Sequence, residues 1–268
     1  MDSKEFIIAS QISDTKNITY IVTINNYLSY DRRAYNASSV IIGGEKRGCV
    51  CISVNYVDKT SLISHYEYNE KCSIKRLLNK GDGTRNMLMS IITITREHFY
   101  PEIIRTLNLE DDSHIFNNYG KRVNLYWSYY VTYGKTYYEY WFNAQVLSGD
   151  EKRLYDNNRE KLNTKLSISF DEFTIYIAKN IYYDSKMMSD IKSIFDKIVS
   201  EEGTWHDLFS LFDKNIIYNC IGSNLDNICI KLKLFMPKMW YIDLDTFVPI
   251  KYTKELSGGN LLRGYLII

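Results

Sequence analysis

The segment KGDGTR at residues 80–85 combines residue types that could bind a phosphate group. An apolar run at helical spacing starts directly after it, which predicts a helix with Thr84 as its N-cap. Glycine has no side chain, so a pyrophosphate could approach the backbone closely here. Free amide N–H groups and the positive end of the helix dipole could face that pyrophosphate, and basic side chains would lie at the rim of the site. The candidate residues are Lys80, Gly81, Asp82, Gly83, Thr84 and Arg85. The alternative is an ordinary turn, since glycine reaches positive φ without steric cost.

Two other phosphate-binding motifs are excluded. A dinucleotide fingerprint would need a third glycine at position 86, which is Asn86. The run YGKT at residues 133–136 lacks the glycine that a P-loop carries five residues before Gly134, because that position is Tyr129. Any phosphate site at residues 80–85 would therefore depend on backbone amides rather than on a lysine clamp.

The patterns around this segment predict an α+β protein. Before it, β-branched runs at short spacing, from EFIIAS to SLISHYEY, predict an antiparallel meander. After the helix of TRNMLMSIITITREHF, the chain predicts a strand in EIIRTLNLE, a loop in DDSHIFNNYG and a helix in KRVNLYWSYYVTY that Gly134 ends. The run TYYEYWFNAQVL is predicted as a strand. The fold class is thus a mostly antiparallel central sheet flanked by helices.

The sequence changes character from about Ser148. A charged stretch there predicts a linker or an exposed helix. Three amphipathic helices follow, the first with Ser169 and the second with Ser185 as N-cap, and the tail from NICIK to IKY predicts strands. We therefore expect one domain at residues 1–147 and a smaller helical-plus-strand domain at residues 148–268.

The order of elements over residues 18–147 resembles the GNAT superfamily of acyl-CoA-dependent N-acyltransferases. In that family a loop of the form Gln/Arg-x-x-Gly-x-Gly/Ala holds the pyrophosphate of coenzyme A between a strand and the next helix. The stretch LNKGDGT matches at Gly81 and Gly83, and has Leu78 where the family has Gln or Arg. The resemblance implies acetyl-CoA or another acyl-CoA as co-substrate.

A second point of resemblance lies on the next predicted helix. The family motif has a tyrosine four residues before a glycine, and Tyr130 and Gly134 match it. Lys135 stands in place of the family's Phe, and Asn124 is one residue away from the family's register. The resemblance implies that Tyr130 protonates the departing thiolate. A core tyrosine with a satisfied hydroxyl is the alternative reading.

The implied reaction is acyl transfer to an amine by direct attack in a ternary complex. Such a reaction needs a base that deprotonates the ammonium of the acceptor, which could be a small molecule or a protein. Glu67, on the strand-like segment before the loop, and Glu110, after the next strand, are the candidates. For the run EDDSH, which begins at Glu110, a solvated acidic loop is the alternative.

Net charge, hydropathy and cysteine content together set expectations for binding partners, cellular compartment and metal binding. A net charge of +1 creates no global attraction to nucleic acid or anionic lipid, and no apolar run approaches the roughly 20 residues of a membrane span. Five cysteines at irregular spacing predict free thiols in a reducing compartment, so we expect a cytoplasmic protein. We expect no metal site at Cys49 and Cys51.

The aromatic residues motivate a rival hypothesis. The 24 tyrosines and 3 prolines have the bias of an A/T-rich genome, such as that of a large DNA virus, which would place the protein in the host cytoplasm or the virion. The aromatic region 126–142 could be core, or an interface with a protein partner or a second copy. The rival is a non-catalytic structural or interaction protein, for example a virion component, on a degenerate GNAT scaffold.

Overall fold

The computed structural model describes residues 1–13, 16–28, 34–43, 48–66, 71–73, 80–111, 113–177, 185–250 and 252–256. The chain divides into two compact units. The first comprises Met1–Leu109 and Tyr241–Ile268, and the second comprises Glu110–Trp240. The boundary expected between residues 147 and 148 lies inside the second unit. No helix in the described ranges is long and apolar enough to cross a membrane.

The first unit contains a mixed, mostly antiparallel sheet with one long helix packed against it. Its strands and helix are β1 (Asp2–Ser13), β2 (Lys16–Leu28), β3 (Tyr35–Gly43), β4 (Gly48–Asn55), β5 (Thr60–Tyr66), α1 (Lys80–Phe99), β6 (Thr106–Glu110), β10 (Met239–Asp243) and β11 (Tyr252–Leu256). The strand order is β11-β1-β2-β3-β4-β5-β6-β10. Neighbours from β11 to β5 are antiparallel, whereas β5 and β6 are parallel.

Alternating burial explains why these runs form strands. In β2 the side chains of Ile18, Tyr20, Val22 and Ile24 are buried, while those between them are partly exposed. Helix α1 packs against β1, β3 and β4 of this sheet, and its inward residues are also almost fully buried, namely Met87, Leu88, Ile91, Ile92 and Ile94. Burial of each such side chain contributes roughly 1.5–3 kcal/mol. The predicted meander is confirmed.

Helix α1 forms in spite of its β-branched residues. Thr93 Oγ1 donates to the Met89 carbonyl at 2.8 Å, and Ser90 Oγ donates to the Asn86 carbonyl at 2.8 Å. These bonds satisfy hydroxyls that are buried against the sheet. With Thr84 as N-cap the helix would begin at Arg85, but it begins five residues earlier, at Lys80, so Thr84 lies inside it and the N-cap prediction is wrong.

A disulfide joins Cys49 on β4 to Cys72, 23 residues further along. The expectation of free thiols at all five cysteines is therefore wrong for this pair. Sequence spacing could not reveal the bond, because disulfide formation depends on the distance between Cα atoms, here 5.7 Å, and not on separation along the chain. Cys51, two residues along the same strand, is not part of the disulfide.

The second unit is mainly helical. Its elements are β7 (His114–Phe116), β8 (Arg122–Asn124), α2 (Leu125–Tyr133), α3 (Tyr137–Phe142), β9 (Gln145–Val146), α4 (Gly149–Leu162), α5 (Phe170–Ile177), α6 (Ser185–Ser200), α7 (Trp205–Leu211), a π-helix (Ile216–Ile221), a 3₁₀ turn (Gly222–Asn224) and α8 (Leu225–Lys231). The four aromatic side chains Phe173, Phe195, Trp205 and Phe209 pack together between α5, α6 and α7.

Several helix positions and helix ends that the sequence predicts for this unit are confirmed. Gly134 ends α2 in the left-handed conformation, and its N–H bonds to the Tyr130 carbonyl at 2.9 Å. Ser169 accepts a bond from the Glu172 N–H at 3.1 Å, as expected of the cap of α5. The charged stretch after Ser148 is the helix α4.

Three segments differ from prediction. DDSHIFNNYG contains the first strand of the β7–β8 hairpin rather than only loop. TYYEYWFNAQVL was expected to be a strand, but it forms α3 and the two-residue β9, because Thr136 and Glu139 make a capping box and Asn143 ends the helix in the left-handed conformation. NICIK lies in α8, where Leu225, Ile228 and Cys229 are buried at helical spacing.

Candidate functional site

The glycine-containing segment forms the first turn of α1. Lys80 is the first helical residue, followed by Gly81, Asp82 and Gly83. The first four N–H groups of an α-helix have no partner within the helix, and the helix dipole makes this end positive. The segment is thus neither a free loop nor part of a β-hairpin. At Lys80 and Gly81 only the backbone is described.

Helix α1 connects two parallel strands. Leu62 and Ile63 of β5 lie beside Asn108 and Leu109 of β6, and Ser61 Oγ donates to the Thr106 carbonyl at 2.6 Å. A helix that joins parallel strands runs back along the sheet, so its N-terminus lies at the carboxyl ends of both strands. In α/β units this is the end where phosphate-containing ligands bind.

Asp82 and Arg85 form an ion pair across this first turn. Arg85 Nη2 lies 3.4 Å from Asp82 Oδ1, and both side chains are partly exposed. A carboxylate in the first turn stabilises the positive end of the helix. The same carboxylate would repel an anionic ligand there, so its effect on phosphate binding can be tested. Gly83 is buried, while Thr84 is half-buried.

Tyr130 lies inside the second unit rather than on its surface. Its side chain is 3% exposed, and its ring centroid lies 5.2 Å from that of Tyr155 and 6.3 Å from that of Tyr126. Burial, and then the negative charge of Glu139, raise the pKa of Tyr130 well above its ordinary value. The phenol therefore keeps its proton throughout the neutral range, and is a weaker acid than an exposed tyrosine.

Glu139 and Tyr155 are two polar residues that sequence reasoning missed. The Tyr155 hydroxyl donates to Glu139 Oε2, which also accepts the Thr136 N–H at 2.8 Å. Burial and Glu139 together raise the pKa of Tyr155 far above its ordinary value. The spacing Thr136-x-x-Glu139 is a capping-box signature and could have predicted the position of Glu139. Nothing local could have predicted Tyr155 as its partner.

The acidic residues Glu110 and Asp111 differ in their exposure. Glu110 is exposed, whereas Asp111 is buried. Asp111 Oδ1 accepts bonds from both the N–H and the hydroxyl of Ser113, at 3.1 and 2.6 Å. Of the two candidate bases, only Glu110 can be located, because Glu67 lies outside the described residues.

The predicted site residues fall into two groups. The six candidate cofactor-binding residues are contiguous at the start of α1, in the first unit. Tyr130 and Glu110 belong to the second unit. Within the described ranges, no group of three or more His, Cys, Asp and Glu side chains is placed to hold a metal ion.

Comparison of the chain with protein-family models, with curated proteins and with solved structures found no match in any of the three.

Proposed function

We propose that this protein binds an acyl-CoA at the N-terminus of α1 and transfers the acyl group to an amine. The observation that carries the proposal is the position of Gly81 and Gly83 in the first turn of a helix that joins two parallel strands. At that position the positive end of the helix dipole favours a diphosphate.

In the proposed reaction each group has a defined role. The pyrophosphate binds at the first turn of α1, against Gly81, Asp82, Gly83 and Thr84, with Lys80 and Arg85 adding positive charge. Glu110 or Glu67 takes a proton from the ammonium of the acceptor, and the resulting amine attacks the thioester carbonyl. The C–N bond forms as the C–S bond breaks, and Tyr130 gives its proton to the coenzyme A thiolate. The proton that the new amide nitrogen loses restores the Tyr130 phenol.

Calorimetry with coenzyme A, ADP and pantetheine tests the binding part of the proposal. Coenzyme A and ADP contain a diphosphate and are expected to bind, whereas pantetheine lacks one and is expected to bind much more weakly. Gly83→Val should weaken coenzyme A binding at least about tenfold, because a branched side chain at this buried first-turn position displaces the backbone against which the pyrophosphate is proposed to lie. If neither coenzyme A nor ADP gives heat at millimolar concentration, the proposal is wrong.

The start of α4 offers matched controls. Gly149 is also in the first turn of a helix, with open space where a Cβ would lie, and Asp150 and Arg153 form an ion pair like that of Asp82 and Arg85. Asp82→Asn should tighten coenzyme A binding about two- to fivefold, since it removes a like charge. Gly149→Val and Asp150→Asn should leave the affinity unchanged.

The catalytic part has its own test. Tyr130→Phe should lower kcat for acetyl transfer by at least about 100-fold, while the Kd for coenzyme A stays the same. The thiol of free coenzyme A can be followed with a colorimetric reagent. Wild-type activity in Tyr130→Phe would exclude Tyr130 as the acid and leave the binding proposal intact.

The second candidate function is that of a non-catalytic structural or interaction protein, such as a virion component. The burial of Tyr130 favours this second candidate. Tyrosines in a hydrophobic core are likewise surrounded by other rings and have a raised pKa. Coenzyme A binding without turnover of any amine would support this candidate, and measurable acyl transfer would exclude it.

A further inference from the structure

Three cysteines of the first unit belong to one short region, called here the cysteine cluster. Cys49 and Cys51 are both on β4, two residues apart, and Cys72 is bonded to Cys49. Alternate residues of a strand point to the same face of the sheet. Cys51 therefore lies on the face of β4 that carries Cys49. The buried residues Val50 and Ile52 alternate with this pair and line the other face.

The members of the cysteine cluster differ in their access to solvent. Cys49 is 4% exposed and Cys72 is 0% exposed, so the disulfide is shielded from a thiol in solution. Cys51 is half-buried and is a free thiol. Because a thiol must reach the sulfur that it attacks, exchange depends on access as well as on reactivity. Cys51 is thus the member of the cluster that a thiol in solution can reach.

The spacing along β4 brings Cys51 within reach of the disulfide. A strand rises about 3.2–3.4 Å per residue, which separates the Cα atoms of Cys49 and Cys51 by roughly 6.4–6.8 Å. Disulfides usually join Cα atoms that are about 4.4–6.8 Å apart, so a bond between these two residues is at the upper end of the range. A bond at that limit is more easily reduced than one of ordinary geometry, which suits a transient intermediate.

We propose that Cys51 is a thiol–disulfide exchange site through which a monothiol in solution reduces the buried bond between Cys49 and Cys72. The Cys51 thiolate attacks Cys49 Sγ, a bond between these two sulfurs forms, and Cys72 leaves as a thiolate that takes up a proton. The thiolate of a monothiol then attacks Cys51 Sγ, and Cys49 leaves. A second monothiol attacks the sulfur of the first, and the two depart as a disulfide that restores the Cys51 thiol. Two monothiols are thus oxidised as one protein disulfide is reduced.

Opening the buried bond changes what holds the chain before α1. Cys72 lies eight residues before Lys80, the first residue of α1, and α1 packs against β4. The disulfide is therefore a covalent tie between β4 and the chain that leads into this helix. Exchange through Cys51 makes that tie dependent on the thiols around the protein. The inference does not rest on the acyl-CoA proposal.

Reduction of the folded chain by reduced glutathione tests the proposal. Samples are quenched at intervals with N-ethylmaleimide, and mass spectrometry counts the alkylated cysteines. Cys51→Ser should slow reduction of the bond between Cys49 and Cys72 at least about tenfold, because the intramolecular attack is lost. An unchanged rate in Cys51→Ser would overturn the proposal.

Ser53→Ala is the matched control, since Ser53 is exposed and lies two residues beyond Cys51 on β4. It should leave the rate of reduction unchanged. A substitution that only loosened β4 would expose the disulfide and speed its reduction, so slower reduction identifies the loss of a thiol rather than of structure. If Cys51→Ser fails to fold by circular dichroism, Cys51→Ala should give the same slowing.

Peptide mapping of the wild-type chain is a second test that needs no variant. Partly reduced samples should contain a species with glutathione on Cys51 and N-ethylmaleimide on both Cys49 and Cys72. Direct attack on the buried bond would instead leave glutathione on Cys49 or Cys72, with Cys51 alkylated. If that second species is the main intermediate, the proposal is wrong.

Discussion

Asn158 forms hydrogen bonds with both polar groups of Phe235, 77 residues away. Its Nδ2 donates to the Phe235 carbonyl at 2.6 Å, and its Oδ1 accepts the Phe235 N–H at 2.7 Å. The Asn158 side chain is completely buried. These two hydrogen bonds hold helix α4 against the backbone at Phe235.

Asn158→Ala should destabilise the protein by about 3 kcal/mol, because it leaves two buried backbone groups without partners. Urea unfolding followed by circular dichroism gives the free energy of unfolding. Asn157→Ala, at the exposed neighbouring position on α4, should change this free energy by less than about 0.5 kcal/mol. Equal effects of the two substitutions would show that the two bonds to Phe235 contribute nothing.

The disulfide between Cys49 and Cys72 should contribute about 3 kcal/mol to stability, as expected for a closed loop of 23 residues. Cys49→Ala with Cys72→Ala, or a reducing agent, should lower the free energy of unfolding by this amount. Cys51→Ala should lower it less. Alkylation of the denatured chain should label three of the five cysteines without a reductant and all five with one. Five labelled thiols without reduction would contradict the bond.

Two buried tyrosines should respond differently to loss of the hydroxyl. The Tyr126 hydroxyl has no hydrogen-bond partner among the described residues, whereas the Tyr155 hydroxyl donates to Glu139. Tyr126→Phe should therefore leave stability unchanged or raise it slightly. Tyr155→Phe should lower it by about 1.5–3 kcal/mol, since a bond to a charged group is lost. Thermal unfolding of the two variants beside the wild type distinguishes these outcomes.

The cap of α7 makes stability depend on pH. The Thr204 N–H and hydroxyl both bond to Asp207 Oδ2, and these bonds lower the pKa of Asp207 below its ordinary value of 3.8. A folded-state pKa below the unfolded one contributes stability that is present above the unfolded pKa and is lost as the pH falls through the folded one. The free energy of unfolding should therefore decrease as the pH falls below the ordinary Asp pKa of 3.8.

Asp207→Asn should cost about 1 kcal/mol at pH 7, the usual magnitude for a helix cap. The difference from wild type should shrink as the pH falls from 5 toward 2. Urea unfolding at several pH values measures it. A difference that stays constant across this range would mean that the charge of Asp207 plays no part.

Several features of the fold followed from local sequence. The strands β1 to β5 could be predicted because alternation of apolar residues matches the two-residue repeat of a half-buried strand. The end of α2 could be predicted because Gly134 suits a left-handed cap. The presence of a helix after residue 80 was also predicted, although its first residue was not.

Other features of the molecule depend on contacts that are distant in sequence. Aromatic residues favour strands, so residues 136–147 were assigned to one, but a capping box and burial on one helical face favoured α3. The disulfide and the pairing of Tyr155 with Glu139 join residues that no spacing rule connects.

The sequence by itself determined the first strands and the presence of the long helix after them, because these depend on periodicity and on the steric properties of single residues. The tertiary structure alone decided which tyrosines became core and which became surface. Burial is a property of the whole packed chain: Tyr130 and Tyr133 lie on the same short helix, and only the elements around them leave one inside and the other exposed to solvent.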